Sequence, residues 1–204
     1  TGSSLKTDYN EILVAPINMK STFMNKIQAE IRNKKAGRPA RIIAKMNAME
    51  DEVITELLYE ASSVGVEVIL MVRGFCSLKP GMKGLSENIK VYSIIGRFLE
   101  HSRVFYFANG SDNYAEGEFY IGSADWMHRN LHNRVELIVP IFETRLKDKL
   151  WEFIDVILRD NRQLWMLNED GSYSQRMPAP GEEEIGTHVT LMNKTIQREK
   201  ATGL

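Results

Sequence analysis

The sequence predicts an α/β domain, and three observations carry that expectation. Strand-like and helix-like segments alternate with short links over residues 11–72. Closely spaced strand-like segments follow over 88–141, and an amphipathic helix comes after them. Alternation of the first kind is the mark of a parallel sheet with right-handed crossovers.

Each element has a local cause. EILVAPI (11–17) reads as a short buried strand ending at Pro16. STFMNKIQAEIRNKKAG then sets Phe23, Ile27 and Ile31 at helical spacing, with Ser21 as the expected N-cap and Gly37 as the stop. ARIIAKM (40–46) is a second strand. DEVITELLYEASSVG is a second helix, with Asp51 and Glu52 favourable in its first turn and Gly65 past its end. VEVILMV (66–72) is almost wholly apolar, as a strand covered on both faces should be.

Four further strands are expected at 88–95, 101–108, 117–124 and 134–141. The turn-rich NGSDNYAEG between the second and third of them predicts a hairpin. A third helix, from about Glu143 to Arg159, carries the apolar stripe Leu146, Leu150, Phe153, Ile154 and Ile157, and RQLWML reads as a last strand. The division expected is a polar leader or cloning remnant at 1–7, one domain over 8–170, and a connector with a terminal helix or tail over 171–204.

Charge excludes some functions. The 26 basic and 27 acidic residues cancel, which argues against nonspecific nucleic-acid binding but leaves room for a local basic pocket. Cys76, the one cysteine, cannot form an internal disulfide, and a reducing, cytoplasmic setting follows. No apolar run reaches the ~20 residues of a membrane span; peripheral membrane association stays open.

Four stretches break the pattern of a plain core. In EHSRVFYF (100–107), extended geometry would put His101 and Arg103 on one face with Phe105 and Phe107. Arg97 lies just upstream, so three basic groups fall within seven residues, which favours an anion or carboxylates nearby. VRGFCSLKPGMKGLSEN places Arg73 at the end of a buried strand, where ligands of open α/β sheets bind. In KMNAMED, Lys45 and Asn47 lie two apart on the same edge as Arg73, with Asn47 alternatively capping the next helix. The small residues Gly122, Ser123 and Ala124 are expected to let a ligand approach backbone, and Asp125 to orient an imidazole. His128 and His132 could share a helical face as metal ligands do. No convincing third ligand accompanies them, so they read as solvated and no metal ligand is assigned.

H-x-R followed by G-S-A-D resembles the H-x-K … G-S-x-N pattern of the phospholipase D superfamily, with arginine for lysine and aspartate for asparagine. The longer strings KAGRPARIIAKMNAMED, VRGFCSLKPGMKGLSENIKVYSIIGRFLEHSRVFYFANG and IGSADWMHRNLHNRVELIVPI are similar to the carboxy-terminal catalytic domain of long-chain polyphosphate kinases of the first family. That resemblance covers nearly all of residues 8–170 and implies a phospholipase D-like mixed β-sheet flanked by α-helices.

It also implies reversible transfer of the terminal phosphate of ATP to polyphosphate through a phosphohistidine, with magnesium. Arg73 matches a family arginine that binds nucleotide phosphate, and His101 the family's second active-site histidine, a nucleotide contact and acid/base. Lys45, Arg97 and Arg103 are expected to join them. The phosphorylated histidine, most magnesium ligands and the homo-oligomer contacts belong to upstream domains of the family, so the fragment alone is expected to be inactive. Polyphosphate and ATP or ADP are the implied partners. Two other readings remain: a stand-alone phospholipase D-like phosphodiesterase, and a non-catalytic polyanion-binding domain.

Overall fold

A computed structural model of the chain describes Tyr9 and residues 11–202, so the leader expected at 1–7 lies outside the described residues. In chain order the elements are β1 (Leu13–Ala15), α1 (Met19–Lys35), β2 (Arg41–Met46), α2 (Glu52–Ser63), β3 (Glu67–Val72), β4 (Ile89–Ile94), β5 (Val104–Phe107), β6 (Glu118–Gly122), β7 (Glu136–Ile141), α3 (Thr144–Arg159), β8 (Leu164–Leu167), β9 (Tyr173–Gln175) and α4 (Thr187–Thr202). The strands form one mixed sheet in the order β1-β7-β6-β5-β2-β3-β4-β8-β9. The three central strands β2, β3 and β4 are parallel, and the remaining pairings are antiparallel, including the expected β5–β6 hairpin.

Period-two alternation splits the central strands between two cores. Ile42, Ala44, Val68, Leu70, Phe105 and Phe107 pack on the α1/α2 side. Ile43, Ile69, Met71, Val104 and Tyr106 pack on the other, against Ile154 and Ile157 of α3. Phe23 of α1 is fully buried and sits 4.7 Å from the Phe105 ring and 5.5 Å from Trp126, which lies 5.3 Å from Phe105. This aromatic knot supports the two segments that carry Arg103 and Asp125.

Three local expectations change. Ser21 lies inside α1, which begins after Asn18; Asn18 Oδ1 accepts the Val14 N–H at 2.6 Å instead of capping the helix. The strand expected from His101 starts at Val104, because His101 and Ser102 are exposed in irregular chain. The expected connector contains β9, which pairs with β8 and extends the sheet; its short Tyr-Ser-Gln sequence carries no apolar alternation. Asp51, by contrast, caps α2 by accepting the Ile54 N–H at 3.1 Å, and Gly65 beyond it takes φ +93°.

Candidate functional site

Topology gathers most of the candidate side chains on one rim. The carboxyl ends of β2 and β3 lie side by side, with Met46 paired to Val72. Because β5 runs antiparallel to β2, its first residue, Val104, pairs with Lys45. Ile121, near the end of β6, pairs with Val104 in turn. Residues that follow β2, β3 and β6 therefore meet residues that precede β5.

The meeting point is a continuous polar chain. Arg73 donates from Nε to Asn47 Oδ1 at 3.1 Å, and its Nη2 is also hydrogen-bonded to that oxygen. The Asn47 N–H donates to Asp125 Oδ1 at 2.8 Å. Asp125 in turn receives Arg103 Nε at 3.0 Å on Oδ1 and Nη2 at 3.3 Å on Oδ2. Arg103 Nη1 donates to the His101 carbonyl at 2.7 Å and lies 2.8 Å from the imidazole Nδ1. The imidazole Nε2 lies 3.1 Å from the same guanidinium nitrogen, so both ring nitrogens lie within reach of Arg103. His101 and Arg73, 28 positions apart, are thus joined through three intervening residues, the Asn47 link to Asp125 being a backbone N–H.

Burial makes this chain stiff. Arg103 and Asp125 have side-chain exposures of 9% and 5%, so their fork pairing takes place largely out of water. His101 is exposed. Arg73 Nη1 is shielded from solvent and has no hydrogen-bond acceptor among the described residues. The guanidinium is therefore oriented by Asn47 with one nitrogen, Nη1, left over.

Lys45 is buried and pairs with Glu100, while also donating to the Ser102 carbonyl at 3.1 Å. Burial pushes the Lys45 ammonium below its ordinary range against the pull of Glu100, and the nearby Arg103 and Arg73 add to the lowering. Burial alone would raise the Glu100 carboxyl, but Lys45 and the two Ser102 donors hold it below the usual carboxylate range. Lys45 thus reaches a carboxylate in this structure. Arg97 stands apart in the exposed loop, its guanidinium 5.5 Å above the Phe98 ring.

Two expectations are corrected at this rim. Asp125 does not orient the imidazole directly: Arg103 stands between them. Gly122 is small for the sake of β7, since a Cβ there would lie 2.1 Å from the Leu137 carbonyl oxygen. Ser123 likewise bonds Glu136 and the Leu137 backbone. The expectation about His128 and His132 changes too. A carboxylate does accompany them, Asp51 from the start of α2, and the sequence hid it because it lies 77 positions away from His128.

An α/β domain with a cationic rim at the carboxyl ends of its parallel strands is the class this geometry defines. The description "Polyphosphate kinase C-terminal domain 2" matches residues 12–187, and the chain belongs to that family. It is 51% identical to a polyphosphate kinase of Thermosynechococcus vestitus over 97% of its own length and 26% of the relative's. It is 43% identical to one from Dictyostelium discoideum, covering 18% of that protein. The chain thus spans about a quarter or less of the length of these relatives. The crystal structure of polyphosphate kinase from Porphyromonas gingivalis superposes with a TM-score of 0.90 at 32% identity, over 97% of this chain and 30% of that one. NucT from Helicobacter pylori shares the fold at a TM-score of 0.52 and 14% identity, over 74% of this chain and 95% of that one.

Proposed function

We propose that this chain supplies half of a phosphoryl-transfer site, which moves the terminal phosphate of ATP to and from polyphosphate once upstream domains complete it. The observation that carries the proposal is Arg73: Asn47 holds two of its nitrogens, and Nη1 has no acceptor among the described residues. An oriented guanidinium with a spare donor suits a phosphate oxygen. Membership of the family supports the reaction assigned.

Phosphoryl transfer is mostly positioning and charge stabilisation. In this reading Arg73 binds a nucleotide phosphate. His101, exposed beside Arg103, contacts the nucleotide and moves a proton on its imidazole. Arg103 is a positioning residue for His101, and Lys45 acts through Glu100 to hold the 100–102 segment. Arg97 adds positive field from the loop. The histidine that receives phosphate lies in the upstream part of the full protein.

Magnesium prefers oxygen ligands, chiefly carboxylates, phosphates and water. The rim carboxylates Asp125 and Glu100 are committed to Arg103, Asn47 and Lys45. These residues do not fit a protein-held magnesium, so no step is assigned to one here. Among the described residues no helix is long and apolar enough to cross a membrane. A cytoplasmic setting rests on cysteine usage, with Cys76 free. Homo-oligomer contacts are assigned to the upstream domains.

A replacement experiment tests the reading. This chain is substituted for the matching quarter of the Thermosynechococcus relative, and ATP-dependent polyphosphate synthesis is measured. The folded chimera should be active, and the 204 residues alone should not be. An inactive chimera of native size and stability would overturn the proposal, as would sustained synthesis by the isolated chain.

A further inference from the structure

We infer a second site, unconnected with phosphate, that takes a zinc-class divalent ion: Asp51, His128 and His132. One ligand atom from each lies within 4.8 Å of the others. Two imidazole nitrogens and a carboxylate oxygen form a donor set that suits zinc, cobalt or nickel far better than magnesium.

The local structure prepares these groups. His128 immediately precedes a π-helical turn, Arg129–Asn133, that carries His132; the two exposed rings stack 4.5 Å apart at 27°. A widened turn of this kind often marks a functional position. Asp51 is 1% exposed, and its Oδ1 is occupied by the α2 cap, so Oδ2 is the oxygen on the histidine side. That oxygen lies 4.0 Å from His132 Nε2.

The same spot already holds a positive charge. The Lys20 ammonium donates to Asp51 Oδ2 at 2.8 Å and lies 3.2 Å from His132 Nε2. Lys20 therefore bridges two of the three donors as a cation would. Its side chain is 20% exposed and sits at the start of α1, so it can turn outward when an ion takes its place. Zinc–nitrogen and zinc–oxygen bonds of about 2.0–2.2 Å put tetrahedral ligands roughly 3.3–3.5 Å apart. The exposed imidazoles must close by about 1–1.5 Å, which side-chain rotation supplies. Water completes the fourth position.

Such an ion clips the 126–132 segment to α2. The backbone already makes part of this clip, since the Glu50 and Asp51 N–H groups both donate to the Trp126 carbonyl, at 2.9 and 3.0 Å. The residue before Trp126 is Asp125, which aligns Arg103. Filling the site stiffens the base of the rim without touching its ligand.

The test uses the metal-free 204-residue chain, with circular dichroism as a check that each variant is folded. Zinc is titrated against a chromogenic chelator, and cobalt is followed by its visible absorption. We expect one ion per chain and a cobalt spectrum of four-coordinate nitrogen and oxygen. His128→Gln and His132→Gln should each weaken binding by at least the ten- to hundredfold that even outer-shell losses cost. Lys20→Met, which removes the competing ammonium, should tighten it. Failure of the wild-type chain to retain zinc, or equal binding by the double histidine variant, would overturn the site. If Lys20→Met does not fold, the two exposed histidines still decide the matter.

Discussion

Arg103 meets Asp125 as a fork, Nε at 3.0 Å on one oxygen and Nη2 at 3.3 Å on the other, with both side chains almost out of water. The pair fixes where His101 stands, because the remaining guanidinium nitrogen holds both the carbonyl and the ring of that residue. Breaking a buried pair from one side costs about 3–5 kcal/mol, since the surviving charge is left without a partner. Asp125→Ala should therefore destabilise the chain by roughly that amount, and somewhat more severely than Arg103→Met, because it also strands the Asn47 N–H. Urea unfolding of the two variants measures the difference.

Arg103→Lys separates charge from geometry. Lysine keeps the positive charge but cannot fork across two carboxylate oxygens and reach His101 as well. In the active chimera the variant should lose kcat more than it raises KM for ATP, as expected if Arg103 orients His101 and does not bind nucleotide. His101→Ala should reduce turnover by about 10²–10⁴. Arg73→Ala should chiefly raise the nucleotide KM. A Lys variant at 103 with unaltered kcat would remove the orienting role.

Much of this was legible in the sequence, and the failures have physical causes. Apolar runs such as VEVILMV marked the buried strands, and the rim positions of Arg73 and Asn47 followed from where those runs stop. The start of β5 was misplaced because alternation alone cannot say whether His101 and Ser102 have a neighbour to pair with; Val104 is the first that does. Gly122 looked like space for a ligand, whereas it is space for the Leu137 backbone, a contact set by the β6–β7 register. Asp51 announced itself as a helix start, but its proximity to His132 depends on how α2 meets the 126–132 segment. Contacts between distant segments carry no local signature.

Gly122→Ala follows from that register. The added Cβ would press on the Leu137 carbonyl at 2.1 Å and the Ile138 Cα at 2.8 Å, and backbone on both sides must give way. Overpacking of this kind costs about 1–3 kcal/mol. Thermal unfolding should fall by several degrees, and because Ser123 and Asp125 follow directly, synthesis by the chimera should fall with it. Full stability in the alanine variant would mean that β7 is free to shift.

Glu100 gives the acid side of the stability profile. Its folded pKa is held below the unfolded value of about 4.3 by Lys45 and Ser102, despite burial. A depressed carboxyl contributes stability that is complete above the unfolded pKa and fades as pH falls through the folded one. Between about pH 5 and pH 3 the wild-type urea midpoint should therefore drop more steeply than that of Glu100→Gln, which has no proton to gain. Lys45 acts at the other end: its lowered pKa means that raising pH toward about 10.4 relieves the cost of keeping a buried ammonium. Parallel acid limbs for wild type and Glu100→Gln would show that the pairing contributes nothing.

The far side of the sheet depends on a different carboxylate. Asp160 is fully buried just after α3, and its Oδ1 accepts the N–H groups of Arg162, Gln163 and Leu164 at 2.8, 2.6 and 3.1 Å. Its Oδ2 accepts both the N–H and the hydroxyl of Thr187, each at 2.6 Å, and so ties the first residue of α4 to the turn into β8. Five donors on one side chain leave no room for a neutral substitute: Asp160→Ala orphans them all, and Asp160→Asn turns an amide toward some of them. The alanine variant should lose about 3–5 kcal/mol, the scale of a buried charge network broken from one side. Thr187→Val is the gentler probe, since it keeps the backbone donor and removes only the hydroxyl, at a cost of about 1–2 kcal/mol. Hydrogen exchange then tells docking from global stability. In Thr187→Val, amides of α4 should exchange faster while those of β2 and β3 keep their protection. Uniform acceleration across the sheet would mean that α4 and the sheet unfold as one unit, and that Asp160 anchors the whole domain instead of one helix.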